Sequence, residues 1–62
     1  EQDNAIASAW LILGQSLELQ GRNLAAIEAY QIASEIAFEN GESEIVVLAR
    51  VALGQLGVST PQ

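Results

Sequence analysis

The chain has 62 residues, eight of them acidic and two basic, for a formal net charge of −6, and half of its residues are apolar. It contains no cysteine, histidine or methionine, which excludes thiol or histidine nucleophiles, disulfide bonds and the usual zinc sites. Two arginines in an acidic chain also exclude the basic surface that nucleic-acid binding requires, so we expect no enzyme, no cofactor and no bound metal.

The first predicted helix runs from about Asn4 to Gln20, with Asp3 or Asn4 as its N-cap. Gly21 ends it, because glycine enters the left-handed conformation at little cost. Four large apolar side chains recur at spacings of four, three and four, which is the period of one helical face. They are Ile6, Trp10, Leu13 and Leu17.

The second predicted helix runs from about Leu24 to Glu39, with Asn23 as its N-cap. Asn40-Gly41 follows it and is also a signal for a β-hairpin turn. Both flanking segments have helical periodicity, so we interpret this dipeptide as the end of a helix. The predicted apolar face of this helix consists of Ala26, Ile27, Tyr30, Ala33 and Ala37.

The third predicted helix runs from about Glu44 to Leu56, with Ser43 as its N-cap and Gly57 as its end. Its apolar run Ile45–Leu48 also fits a short strand. Apolar residues continue at helical spacing to Leu56, however, and a lone strand would have no sheet to join. The sequence therefore predicts an all-α chain of three helices.

Size limits the chain to one domain, which we place at residues 1–57, followed by a flexible tail at 58–62. A chain of about 60 residues buries only about 60% of the surface that it exposes when unfolded. Disulfides and bound metals often stabilise so small a unit, but this chain has no cysteine and no histidine to form them. The chain begins at Glu1 rather than at methionine, so we expect it to be part of a longer or trimmed protein, stabilised by association or by a larger parent chain.

Even the longest apolar runs, such as Ile45–Ala49, are far shorter than the ~20 residues of a membrane span, and the N-terminus does not resemble a signal segment. We expect a cytoplasmic location. The negative charge disfavours membrane surfaces and nucleic acids as partners and favours a basic or neutral protein. Exposed glutamates such as Glu35 and Glu39 are expected to form a solvated face, because three short helices offer no cleft in which carboxylates become catalytic.

Two seven-residue segments, offset by 40 residues from position 9 to position 49, match at four positions. Ala9–Gln15 reads AWLILGQ, and Ala49–Gln55 reads ARVALGQ. An offset of this size is typical of a helix–turn–helix unit that is followed by the first helix of the next unit. The sequence therefore predicts one structural repeat and the beginning of a second.

The chain resembles the tetratricopeptide repeat (TPR) family through one degenerate motif, which spans about residues 9–37: Trp10-x2-Leu13-Gly14-x2-Leu17, then Gly21, then Ala26-x3-Tyr30-x2-Ala33. It departs from the family at Leu17, where an aromatic is common, and at Phe38, where a proline usually ends the repeat. The 40-residue offset exceeds the usual 34 and is similar to the longer variant found in kinesin light chains. The resemblance implies a helical hairpin plus a third helix, as in a fragment of an α–α superhelix.

Gly14 lies inside the first predicted helix, where glycine costs about 1 kcal/mol relative to alanine. We predict that it faces Ala26, so that two small residues let the first two helices approach closely. A leucine at Gly14 would then leave the helices no room. Trp10 and Tyr30 are interpreted as core aromatics around this contact rather than as ligand-binding residues.

In the TPR family, the first helix of each repeat lines a concave face that binds protein partners. By that resemblance, the candidate partner-binding residues are Ser8, Leu11, Gln15, Glu18, Leu19, Val51 and Gln55. The family's clamp for acidic peptide C-termini uses lysine, arginine and asparagine at such positions. None of these stands here, so we predict no such clamp, and burial against a neighbouring repeat or a second copy remains an equal alternative.

Several apolar residues exceed what one packed face per helix requires: Leu11, Ile12, Leu19, Val46, Val47 and Val51. We expect a non-catalytic protein–protein interaction module, a TPR-like adaptor or scaffold fragment. The alternative is a structural element that joins copies of the chain into a homo-oligomer. A third possibility, a non-catalytic fragment of an enzyme or regulator, depends on flanking sequence.

Overall fold

The structure, a computed structural model, describes residues 4–57, with side chains from Ile6 onward. It contains three α-helices, α1 (Asn4–Leu19), α2 (Asn23–Asn40) and α3 (Ser43–Gln55). The prediction of an all-α chain is confirmed, because each helix agrees with its predicted span to within one residue at either end. The run Ile45–Leu48 is helical and not a strand. The predicted tail lies outside the described residues.

The two turns between the helices have the same backbone geometry. Gly21 and Gly41 take the left-handed conformation, with φ of 78° and 73°. In each turn, the N–H of the next residue donates to the carbonyl four positions before the glycine, over 2.9 and 2.8 Å. This is the Schellman C-cap, in which a residue without a Cβ reverses the chain while the last helical carbonyls stay hydrogen-bonded. The predicted helix ends at Gly21 and Gly41 are confirmed.

The predicted N-caps of α2 and α3, Asn23 and Ser43, are wrong. Both residues are already inside their helices, and the residues before them, Arg22 and Glu42, make no side-chain capping bond. The backbone carbonyl of each preceding residue instead accepts the first helical N–H bond. The physical reason is that the Schellman turn leads almost directly into the next helix and leaves no extended residue for a cap. The predicted cap of α1, at Asp3 or Asn4, lies outside the described side chains.

Helix α2 is the centre of the fold. It packs against α1 on one side and against α3 on the other, whereas α1 and α3 touch only slightly. The smallest extent of the molecule is 14 Å, against 34 and 29 Å in the other directions. The predicted apolar face of α2 is confirmed, with Ala29 as an additional member and Ile27 at its partly buried edge.

The buried face of α1 differs from the predicted stripe by one residue. Ala7, Leu11 and Gly14 are buried, whereas Ile6 and Leu13 of the predicted stripe are exposed. The other two members of that stripe, Trp10 and Leu17, pack against the edge of the core and are only partly buried. The prediction was wrong because α1 is apolar on most of its circumference, and large residues were assumed to point inward.

The closest contacts at Gly14 are with Tyr30 rather than with the predicted Ala26. A Cβ built on Gly14 would lie 2.7 Å from two carbons of the Tyr30 ring and 3.0 Å from a third. Tyr30 is only 1% exposed, so the ring is enclosed and has no open space into which to move. Gly14 is therefore required because an aromatic ring from α2 lies directly on the backbone of α1.

We predict opposite stability changes for the same substitution at two helical glycines. Gly14→Ala should lower the free energy of unfolding, because overpacking costs about 1–3 kcal/mol against a gain of about 1 kcal/mol in helix propensity. Gly54→Ala in α3 is the matched control, since a Cβ there meets nothing within 4 Å. It should raise stability by up to about 1 kcal/mol. Urea denaturation followed by circular dichroism measures both, and equal stabilisation by the two changes would show that the ring does not cover Gly14.

Candidate functional site

Glu18, a candidate partner-binding residue, is engaged inside the fold. The Tyr30 hydroxyl donates a hydrogen bond of 2.8 Å to Glu18 Oε1. Gly14 and Glu18 lie one helical turn apart on α1, so they share a face. Tyr30 therefore packs its ring against Gly14 and bonds its hydroxyl to Glu18. This bond satisfies a phenol that would otherwise be buried without a partner.

Burial is the main reason that the pKa of Tyr30 is raised from 10.0 to about 12, and the hydrogen bond and negative charge of Glu18 add to the effect. All three oppose the phenolate, which would be a desolvated anion beside a carboxylate. Tyr30 is therefore a structural tyrosine and not an activated acid or base.

Stability should fall as the pH rises from about 10 to about 12. The folded chain holds the Tyr30 proton more tightly than the unfolded chain, so the stabilisation is complete below pH 10 and is lost on approaching pH 12. Tyr30 is the chain's single tyrosine, and lysine and cysteine are absent, so no other side chain titrates in this interval.

Tyr30→Phe is the control for this pH dependence. The lost hydrogen bond should lower the free energy of unfolding by about 1 kcal/mol near neutral pH. Between pH 10 and 12, however, the stability of the variant should stay constant. Thermal unfolding at stepped pH measures both chains. An equal alkaline loss in the phenylalanine variant would contradict the assignment to Tyr30.

Leu11 is a correction to the candidate surface. It is only 8% exposed and belongs to the core cluster with Tyr30 and Leu53, so its prediction as an exposed partner-binding residue is wrong. The reason is the one-residue rotation of α1 described above. The remaining candidates include four exposed residues, Gln15, Leu19, Val51 and Gln55, and the partly buried Ser8, which has an interaction within the fold. Their role in binding stays a prediction.

We expect Leu11→Ala to destabilise the fold. It should lower the free energy of unfolding by about 2–5 kcal/mol, as is typical for a buried leucine. Leu13→Ala is the matched control, because Leu13 is 43% exposed and should cost clearly less. Denaturant unfolding of the two variants distinguishes the observed face of α1 from the predicted one. A larger loss at Leu13 would show that the predicted stripe is the buried one after all.

The core of this fold consists mainly of small side chains, and many large apolar side chains are exposed. Among the residues that the structure describes, six of the nine buried core residues are alanines. The exposed set comprises Ile6, Ile12, Leu13, Leu19, Leu24, Phe38, Val47, Leu48 and Val51. Single exposed apolar residues are ordinary, whereas large contiguous patches of them are typical of contact surfaces.

A groove of about 360 Å³ lies between the C-terminal end of α2 and the first half of α3. Phe38, Val46 and Val47 give it apolar walls, and Arg50 and Glu42 supply charges. Glu42 Oε1 is buried without a hydrogen-bond partner, which is costly for a carboxylate oxygen. We call this the α2–α3 groove. The sequence analysis singled out Val46 and Val47 but not Phe38, whose exposure depends on how α2 is rotated.

The two matching seven-residue segments are buried on opposite sides. Leu11 and Gly14 of the first face α2 and are buried, whereas their counterparts Val51 and Gly54 are exposed. Conversely, Leu53 is buried against the core while its counterpart Leu13 is exposed. Each segment therefore has two apolar sides. Helix α2 covers one side of the first segment, which it follows in the chain, and the other side of the second segment, which it precedes.

The acidic side chains in the described part of the chain do not form a group that could hold a metal ion. Two of them, Glu35 and Glu39, lie exposed on α2. None of the three helices in that part of the chain has both the length and the apolar character that a membrane crossing takes. Comparison with models of known protein families, with curated proteins and with solved structures gave no match.

Proposed function

We propose that the chain is a non-catalytic protein–protein interaction module of the TPR type, formed by one repeat and the first helix of a second. The observation that carries the proposal is the combination of an alanine-rich core with nine exposed large apolar side chains among the described residues. Covering these exposed side chains with a partner would remove apolar surface from water, which favours association.

The TPR assignment is supported by the internal repeat and by the Gly14 contact. The helices have the predicted order and lengths, and Gly14 receives a ring from the second helix at the residue where the motif has its aromatic, Tyr30. The chain still departs from the TPR motif at Leu17 and Phe38. In this proposal Phe38 contacts the partner, because it forms a wall of the α2–α3 groove.

The α2–α3 groove suggests the chemistry of the partner. Its apolar walls suit an aliphatic or aromatic side chain, and Glu42, which lines the groove, favours a lysine or arginine at its rim. The net charge of −6 acts in the same direction at longer range. We therefore propose a protein segment in which an apolar anchor is flanked by basic residues.

Two amphipathic peptides with the same apolar face, one with basic and one with acidic flanks, test this partner chemistry. Fluorescence anisotropy at low salt should show the basic peptide binding at least about tenfold more tightly, with affinity falling as salt rises. Phe38→Ser should weaken that binding about tenfold. Leu24→Ser is the matched control, because Leu24 is another exposed apolar residue at the opposite end of α2, and it should change nothing.

Failure of both peptides to bind at micromolar concentration would contradict the proposed function. Loss of binding on Leu19→Ser but not on Phe38→Ser would move the site to the candidate residues of α1.

The alternative function, self-association, is favoured by the same exposed residues. It predicts a concentration-dependent dimer or larger species in sedimentation, whereas the interaction module predicts a monomer.

A further inference from the structure

Asn40 and Gly41, which connect α2 to α3, are the one asparagine–glycine pair in the sequence. Asparagine is one of the thermolabile residues of proteins. When glycine follows it, the glycine nitrogen reaches the asparagine side-chain carbon Cγ easily, because glycine has no Cβ to hinder the approach. The other two asparagines precede Ala5 and Leu24, and residues with a side chain hinder this attack. Asn40 is therefore the residue of this chain most prone to deamidation.

Deamidation of Asn40 takes two steps, with water as the co-reactant. The Gly41 nitrogen bonds to Asn40 Cγ, the bond from Cγ to Nδ2 breaks, and Nδ2 leaves as ammonia with the proton that the Gly41 nitrogen releases. Water then opens the five-membered imide at either of its carbonyls. Attack at Cγ gives aspartate, whereas attack at the main-chain carbonyl gives isoaspartate, in which the main chain continues through Cγ.

The folded turn prevents the first of these steps. Asn40 is exposed, but it is the last residue of α2, and its main chain is helical. In this conformation the Gly41 N–H donates to the Phe38 carbonyl over 3.2 Å. The next N–H, of Glu42, donates to the Ala37 carbonyl over 2.8 Å. The Gly41 nitrogen reaches Asn40 Cγ only after the main chain at Asn40 has rotated, and this rotation breaks both hydrogen bonds.

We infer that Asn40 is a deamidation site controlled by the fold, which is blocked while the α2–α3 turn is closed and reacts with water when the turn opens. Opening does not require the whole chain to unfold. Helix α3 packs mainly on α2, and its buried residues are Ala49 and Leu53. Release of this helix is a local opening of the kind that elements with few buried contacts undergo. The inference is independent of the proposed function, because the reaction needs no partner protein.

The isoaspartyl product keeps the turn from closing again. It lengthens the main chain by one carbon immediately before Gly41, so the two hydrogen bonds of the turn lose their register. It also places a carboxylate at the C-terminal end of α2, where the helix dipole disfavours negative charge, and in sequence between Glu39 and Glu42. The α2–α3 groove, which Gly41 helps to line, is lost with the turn. A temporary opening therefore becomes permanent.

The first interhelical turn is a natural control within the same chain. Gly21 has the left-handed conformation of Gly41, and its N–H likewise donates to the carbonyl three positions earlier, over 3.0 Å. The residue before it, however, is Gln20. Glutamine has one more methylene, so the same attack has to close a six-membered ring, which forms far more slowly. Asn40→Gln therefore gives the second turn the residue of the first and should prevent the reaction.

The reaction rate is measured on the whole chain in mildly alkaline buffer, with and without urea above the unfolding transition. Ion-exchange chromatography separates the product by its additional negative charge, and peptide mapping locates the change at Asn40. We expect the folded chain to react at least about tenfold more slowly than the unfolded chain, because a slow reaction follows the population of the open form. Asn40→Gln should not form the product at a comparable rate in either condition.

Two leucine variants of α3 test the control by the fold. Leu53 is only 7% exposed, so Leu53→Ala should speed the reaction in buffer at least about tenfold and leave the rate in urea unchanged. Leu48→Ala is the matched control, because Leu48 is 53% exposed on the same helix, and it should leave both rates unchanged. If Leu53→Ala unfolds the chain completely, its rate in buffer should equal its rate in urea.

A synthetic chain with isoaspartate in place of Asn40 tests the consequence of the reaction. It should melt at a lower temperature and be less helical than Asn40→Asp, which carries the same charge without the longer main chain. An unchanged melting temperature of the isoaspartyl chain would overturn the inference. Equal rates in buffer and in urea, an equal gain of charge by Asn40→Gln, or equal rates in buffer for the two leucine variants would also overturn it.

Discussion

The contact of the Tyr30 ring with the backbone of Gly14 holds this fold together. The ring can lie there only because Gly14 has no side chain, and it stays there because its hydroxyl is bonded to Glu18 one turn further along α1. The contact fixes how α1 is rotated against α2. That rotation decides which apolar residues are buried and which remain on the surface, so the candidate binding surfaces follow from it.

Much of the fold was predictable from the sequence, because helix ends and helix period are local properties. Glycines at 21 and 41, with apolar spacing on either side, determined the three helices. The rotation of α1 was not predictable in the same way, since its apolar residues nearly surround it and large residues were assumed to be inside. The N-caps at Asn23 and Ser43 were mispredicted because the preceding turn left no room for them.

The candidate site was predictable only in part. Of the proposed partner-binding residues, Leu11 is in the core and Glu18 holds Tyr30, whereas Leu19 and Val51 are on the surface as expected. The α2–α3 groove was missed because it depends on the relative placement of two helices. The 40-residue offset was the useful signal, since it identified Gly14 and Gly54 as equivalents before their different surroundings were known.

The two interhelical turns carry opposite charges next to their glycines, Arg22 and Glu42, yet both reverse the chain in the same way. Their geometry depends on the main chain and on glycine alone. Such a turn tolerates different neighbouring residues. Duplication of the two-helix unit, including its turns, would therefore extend the chain without a new type of connection. Selection would then act on the helix faces. In a longer molecule, only the last helix would keep an uncovered apolar face.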